Sequence, residues 1–302
     1  MTIPYSLAKA ITCAVVATGL LAYPAAAQIV AGNTGGTAGA LSVQNQDAGA
    51  NTSTSFSFNN NGDFIALAVT VGSGTNAQRT FSGGDATVTF GSQTMTFAAE
   101  QQRSNDEWAA VFYLPNAVAG TATLSFNFNT NIFSADGGGA PTDIRGAYQI
   151  GVISLSNVDT ANPIAGIETN SVVGDMTIAS QTPGEINSGD FVFTSTVSRT
   201  DNADHFATNS FVGDPSSQPT TISNPLPQDG GGGDGSSSSF QSLYQVLVPS
   251  DITGDSVILT EFNEGGIAAN VGVVFNQVPE PTSGSLLALA AAALLYRRRR
   301  AS

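Results

Sequence analysis

Strict alternation of apolar and polar residues most constrains how this 302-residue chain folds. In the stretch TATLSFNFN, residues 121–129, alanine, leucine and two phenylalanines share one face, and threonine, serine and asparagine share the other. Successive side chains of a β-strand point to opposite faces, so this pattern is typical of an antiparallel strand with one buried and one solvated face. Residues 94–97 and 190–197 repeat it.

Six further segments are predicted to be strands because they are short, apolar and rich in β-branched and aromatic residues. These segments are residues 64–71, 108–114, 148–155, 244–248, 257–262 and 271–275. Turn-forming runs of asparagine, glycine and aspartate separate many of the segments. The pattern predicts an all-β fold, a single antiparallel β-sandwich of jelly-roll or immunoglobulin-like type over residues 40–277, with residues 28–39 as a flexible lead.

One low-complexity stretch interrupts this pattern. It runs from Asp229 to Ser239 and consists of glycine and serine apart from two aspartates. We interpret it as a long hairpin loop, because only three strong strand segments follow it and three strands cannot close a sandwich. The alternative is a linker between two small sandwiches.

Residues 1–27 are predicted to form the helix of a secretory signal peptide. A single lysine precedes an apolar stretch, and the small residues Ala25 and Ala27 form an A-x-A cleavage site before Gln28. We expect signal peptidase to cut between Ala27 and Gln28. The cut removes Cys13, the only cysteine of the chain, so the mature protein forms no disulfides.

The charge of the mature chain excludes one class of partner. Residues 28–281 hold all 23 acidic residues but no lysine, and their four arginines leave a formal net charge of −19. Such a surface is soluble and self-repelling. It lacks the basic face that nucleic-acid binding requires, so we expect no nucleic-acid partner.

The C-terminal tail has three parts in a fixed order. They are Pro279, Glu280 and Pro281, then an eleven-residue apolar run at 286–296, then Arg297, Arg298, Arg299 and Arg300. Counted from Gly284, the apolar segment spans about 20 Å as a helix, which is shorter than the ~30 Å core of a bilayer. The tail therefore predicts a short hydrophobic helix that holds the protein at the membrane temporarily, with its arginines on the cytoplasmic side.

On these residues the tail resembles the PEP-CTERM sorting signal of Gram-negative bacteria, within residues 278–302. The resemblance implies recognition by an exosortase, a membrane transpeptidase, with cleavage near the motif and release or transfer to the cell surface. It also implies export from a Gram-negative-type cell, transient contact with the inner membrane, and association with exopolysaccharide, whose production family members often accompany. The alternative is a plain tail anchor with a basic stop.

A second resemblance concerns the body. Three short hydrophobic motifs, at residues 88–95, 111–115 and 119–124, are similar to a β-sandwich module that is common in bacterial secreted proteins. The resemblance covers roughly residues 56–160. It implies a fold and not an activity.

Candidate catalytic and metal-binding residues are few. His205 is the only histidine, and no G-x-S-x-G motif supplies a nucleophile for it, so we assign no catalytic residue. Zinc requires several nitrogen or sulfur ligands, which the mature chain lacks. Calcium prefers oxygen ligands from loops, for which Asp201 and Asp204 are weak candidates. We expect no cofactor other than calcium, and solvated acidic loops are the simpler interpretation.

Two acidic pairs and one tryptophan are the candidates for glycan chemistry. A glycosidase needs two facing carboxylates, but Asp106 and Glu107 are adjacent and point to opposite faces of a strand. Glu261 and Glu264 flank a strand end. Trp108, the only tryptophan, could stack on a sugar ring if it were exposed.

Together these features predict an exported, surface-sorted β-sandwich protein with a structural or adhesive role, and not an enzyme. One alternative is a noncatalytic carbohydrate-binding module whose contact is Trp108. A second alternative is a secreted glycan hydrolase. Exposure of Trp108 in a groove would favour the carbohydrate-binding module, and burial of Trp108 would favour the structural role.

Overall fold

The computed structural model describes the body of the protein. The described residues are 28–44, 53–73, 86–103, 107–128, 143–174, 180–181, 189–199, 207–212, 220–221, 244–247, 256–262 and 266–279. The predicted signal helix and the predicted tail helix lie outside these residues, as does the run from Asp229 to Ser239. The chain divides into two units, one of which is Gln28–Val278, while the other comprises Met1–Ala27 and Pro279–Ser302.

All secondary-structure elements among the described residues are β-strands. In chain order they are β1 (Val30–Gln44), β2 (Ser53–Asn60), β3 (Phe64–Ser73), β4 (Ala86–Phe90), β5 (Gln93–Thr94), β6 (Thr96–Arg103), β7 (Glu107–Pro115), β8 (Gly120–Phe128), β9 (Asp143–Ser156), β10 (Ile164–Gly174), β11 (Ser180–Gln181), β12 (Phe191–Arg199), β13 (Ala207–Val212), β14 (Thr220–Thr221), β15 (Tyr244–Leu247), β16 (Ser256–Phe262) and β17 (Gly266–Phe275).

The described strands form four antiparallel sheets, which confirms the predicted all-β antiparallel fold. A central sheet has the order β1-β9-β3-β7-β6, and a first outer sheet has the order β2-β8-β4-β5. A second outer sheet has the order β10-β17-β12-β15-β14, and a small sheet has the order β11-β16-β13. All of their strand pairs are antiparallel.

The first hydrophobic core lies between the central sheet and the first outer sheet. In β3 the residues Ile65, Leu67, Val69 and Val71 face this core and are fully buried. Its other main contributors are Phe58, Val88, Phe90, Trp108, Ala110, Phe112, Leu124, Phe126, Ile150 and Val152. The rings of Phe112 and Phe126 meet edge to face across the two sheets, with centroids 6.2 Å apart, a favourable arrangement for aromatic pairs.

The second hydrophobic core lies on the opposite face of the central sheet. The alternate residues of β3, Phe64, Ala66 and Ala68, point into this core. From the second outer sheet it receives Phe191, Phe193, Val197, Ala269, Val271, Val273 and Phe275. The rings of Phe64 and Phe275 join the two sheets at a centroid distance of 5.0 Å. The predicted sandwich is therefore present twice, around one shared sheet.

One end of the strands carries the described tight turns, and we call this end the base. The base comprises residue 28, the turns at 61–63, 116–119 and 157–163, and the segment 276–278. Asparagine side chains form hydrogen bonds with the backbone of these turns. The amide of Asn60 donates to the carbonyl of Val118 at 3.0 Å and accepts from the N–H of Gly62 at 3.1 Å. Turn carbonyls and amides at the base are thus paired within the fold.

The expectation of a flexible lead at residues 28–39 is wrong. Residues from Val30 onward form β1, which pairs with β9 along its whole length from Val30↔Ser156 to Gln44↔Asp143, with an irregularity between Ala31 and Thr34. The segment is rich in glycine, threonine and alanine, which resembles a flexible linker in composition. Pairing with a long neighbouring strand overrides that weak local preference.

Substitution of Ile29 tests this docking of the N-terminus. Ile29 is 1% exposed in the second core, whereas its neighbour Val30 is 56% exposed. We expect Ile29→Ala to lower the free energy of unfolding by about 2–4 kcal/mol, because it leaves a cavity. Val30→Ala should change it by less than about 0.5 kcal/mol. Urea unfolding of the exported protein measures both, and equal effects would contradict the docking.

Candidate functional site at the base

The base holds the residues on the body side of each processing point that the sequence predicts. Gln28 is the expected first residue of the mature protein, and Val278 directly precedes Pro279. The side-chain amide of Asn157 donates to the carbonyl of Gln28 at 2.9 Å. The N–H of Val278 donates to the carbonyl of Asn157 at 3.0 Å. One residue thus touches both ends of the body.

The conformation of Asn157 suits this position. Its φ is +67°, a left-handed backbone that asparagine adopts more readily than most residues. It follows the end of β9, where the next residue, Val158, forms an isolated antiparallel bridge with Gln277. The sequence gives no signal for this role of Asn157, because an asparagine after an apolar strand indicates only a strand end.

Each residue of the segment 276–278 is bonded to the rest of the body. Asn276 donates its N–H to Pro163 at 2.9 Å and its side-chain amide to the carbonyl of Asn162 at 2.8 Å. The N–H of Gln277 donates to a carboxyl oxygen of Asp190 at 3.3 Å. The body is therefore hydrogen-bonded up to the residue before the Pro-Glu-Pro run.

The structure places Trp108 inside the body. Its side chain is fully buried in the first core, and its indole Nε1–H donates to Oε2 of Glu100 at 2.9 Å. A sugar ring cannot stack on a residue without exposed surface. The prediction of a glycan contact at Trp108 is therefore wrong, because β7 belongs to the central sheet, and both faces of that sheet are covered by other sheets.

The other predicted site residues lie mostly outside the described ranges. These are Ala25, Ala27, Asp106, Asp201, Asp204, His205, Glu264, Glu280, Pro281, Arg297, Arg298, Arg299 and Arg300. Gln28 and Pro279 are described, and both are exposed. Glu107 begins β7 and Glu261 lies near the end of β16. Among the described residues, no group of three or more histidines, cysteines or acids is placed to hold a metal ion.

Comparison with known proteins identifies the tail. Residues 277–300 match the family model of the PEP-CTERM protein-sorting motif. The part of the chain that the structure describes is thus all-β, and its C-terminal region carries the PEP-CTERM sorting signal, as the tail sequence predicted. The match begins at Gln277, which belongs to the base. Among the described residues, which include only the first three positions of the match, no helix is long and apolar enough to cross a membrane.

The other comparisons add no function. No curated protein matches the chain. A solved structure described as "Crystal Structure of the STIV MCP" aligns with 81% of this chain and 98% of its own, at 8% identity and a TM-score of 0.24. A likeness this weak carries no argument about fold or function.

Fluorescence tests the burial of Trp108, which is the only tryptophan of the chain. We expect blue-shifted emission, weak quenching by acrylamide, and no change when neutral or acidic glycans are added. Emission typical of a solvated indole, or strong quenching by acrylamide, would contradict the burial.

Substitution of Glu100 tests the bond to the indole of Trp108. Glu100→Ala removes the acceptor from a buried donor and should cost about 1–3 kcal/mol of stability. Glu100→Gln keeps a carbonyl oxygen at that position and should cost less. Urea unfolding followed by Trp108 emission compares the two variants, and an equal loss in both would exclude a role for the acceptor.

Proposed function

We propose that this protein is a structural or adhesive component of the cell envelope or extracellular matrix, exported and sorted by its PEP-CTERM signal. The observation that carries the proposal is the match of residues 277–300 to the sorting motif. That motif implies export toward the cell surface and processing by an exosortase. The finer role is our proposal, and it rests on the surface of the first outer sheet.

The outer face of the first outer sheet is polar and uncharged. Alternation in β2 and β8 turns most of their hydroxyl and amide side chains away from the first core. The cross-strand neighbours on this face are Ser53 and Asn127, Ser55 and Ser125, Ser57 and Thr123, and Asn59 and Thr121. None of the four strands of this sheet contains a charged residue, although the mature chain carries 23 acids.

Such a face suits contact with a neutral, hydroxyl-rich polymer. Hydroxyl and amide groups donate and accept hydrogen bonds, and no charge on the face must be desolvated when a polymer covers it. Anionic polymers are disfavoured, because the protein as a whole is strongly negative. We therefore propose a neutral polysaccharide as the matrix component in contact with this face. We do not propose glycan binding through Trp108, since its side chain is buried in the first core.

The sorting step is tested by intact mass and C-terminal peptide mapping of protein from cells and from medium. We expect loss of the residues that follow the Pro279-Glu280-Pro281 region, together with release or a mass adduct. Changing Pro279, Glu280 and Pro281 to alanine should retain the tail. The control changes Pro225 and Pro227, a second Pro-x-Pro run, and should leave processing unaltered. A wild-type protein ending at Ser302 in the membrane fraction would overturn sorting in favour of a plain anchor.

The contact surface is tested by placing one charge on it. Thr123→Glu puts a carboxylate on the uncharged face, and the matched control Thr169→Glu alters an exposed threonine of β10 in another sheet. Loss of one net hydrogen bond of about 1 kcal/mol should lower retention in the insoluble matrix about fivefold for Thr123→Glu only. Equal retention of the two variants would argue against this face as the contact.

A further inference from the structure

The two ends of the body meet at one residue, although 249 positions separate Gln28 from Val278 in the sequence. Asn157 uses its side-chain amide for the carbonyl of Gln28 and its backbone carbonyl for the N–H of Val278. The two bonds involve different atoms, so both form at once. We call Asn157 with these two partners the clasp.

Neighbouring contacts also hold the two segments that the clasp joins, which contain Gln28 and Val278. On the N-terminal side Ile29 is buried in the second core, and its N–H points to the carbonyl of Gly189 at 3.4 Å. On the C-terminal side Gln277 bridges Val158. The ends of the body are therefore placed by packing and by backbone pairing as well as by the clasp.

We infer that the clasp brings both processing junctions to one exit point, and that the base is the membrane-facing surface of the body while the tail is attached. The inference rests on the proposed sorting and on the predicted signal cleavage. Ala27 is the residue before Gln28, and Pro279 is the residue after Val278. Both junctions thus begin one residue away from the clasp, without an intervening linker.

Chain length limits how far the base can lie from the membrane. Five residues, Pro279 to Ser283, separate Val278 from the start of the apolar segment at Gly284. Even fully extended, the six Cα–Cα steps from Val278 to Gly284 cover no more than roughly 22 Å. This short tether is the reason why we expect the base, and not the far ends of the strands, to face the bilayer.

The clasp is tested by thiol crosslinking, for which the cysteine-free mature chain is well suited. In the exported full chain, Gln28→Cys paired with Val278→Cys should link with a short bis-maleimide, as identified by mass spectrometry of the joined peptides. The control pairs Val278→Cys with Ser53→Cys, an exposed residue at the opposite end of β2, and should not link. Absence of the first link, or an equal yield in the control, would overturn the shared exit.

Variants of Asn157 show whether its side chain maintains the clasp. Asn157→Asp keeps the shape of the side chain but replaces the donor to Gln28 with an oxygen, and should lower the crosslink yield. Asn116→Asp is the matched control, since Asn116 also has a positive φ, of 54°, and its carbonyl accepts from Gln93. Equal yields in the two variants would exclude a side-chain contribution of Asn157.

Accessibility tests the orientation of the base. Val118→Cys places a thiol on the base, where the native side chain is 65% exposed, and Ser53→Cys places one at the far end. In spheroplasts holding the tail-retaining alanine variant of the motif, a bulky impermeant maleimide should label Val118→Cys several-fold more slowly than Ser53→Cys. After release into the medium the rates should become similar.

Equal labelling rates with the tail attached would contradict the membrane-facing base. Intact mass reports tail removal separately. A failure of sorting therefore shows as an unprocessed tail, whereas a failure of the inference shows in the crosslinks or the labelling rates.

Discussion

Burial of the central sheet on both faces is the constraint on which the rest of the body depends. A sheet in this position cannot alternate between apolar and polar residues, because each face contacts a core. In β3, Ile65 and Leu67 fill the first core, while Phe64, Ala66 and Ala68 meet the second. The small alanines on the second face leave room for the phenylalanines of the second outer sheet, as close packing of an interior requires.

A polar contact also crosses the second core. The hydroxyl of Ser195 in β12 donates to the carbonyl of Val69 in β3 at 3.0 Å, and the bond is buried. A buried hydroxyl is costly unless it is bonded, so this serine fixes how the second outer sheet lies on the central one. Together, the aromatic contacts and this bond hold three layers of sheet without a disulfide.

Much of the fold could be predicted from sequence, because alternation reports directly on burial. The stretch at 121–129 predicted a half-buried strand, and β8 has its leucine and central phenylalanine buried and its threonines exposed. The dense run at 64–71 predicted a strand, but a run without alternation does not show which sheet covers each face. The third layer was therefore missed. β1 was missed because long-range pairing, and not its composition, makes it a strand.

The candidate site, like the fold, has parts that could be predicted from the sequence and parts that could not. The sorting signal could be predicted from the sequence because it is a linear motif whose meaning lies in the order of its parts. The clasp on Asn157 could not, because its partners come from the two ends of the body and only the fold brings them together. Trp108 was misjudged as a glycan contact because the sequence does not show that β7 lies in a sheet covered on both faces, where Trp108 and its neighbour Ala109 each contact a core.

The place of β17 in the second outer sheet has a consequence for how the protein is made. β17 lies between β10 and β12 and pairs with both, although it is the final strand and ends at Phe275, two residues before the sorting motif begins. Since β17 comes last in the sequence, β10 and β12 are synthesised before the strand that joins them, and the edges that β17 pairs stay open until then. The second core closes only when that last strand arrives. The last strand of the fold and the sorting motif are thus synthesised almost together. A chain truncated before β17 lacks both.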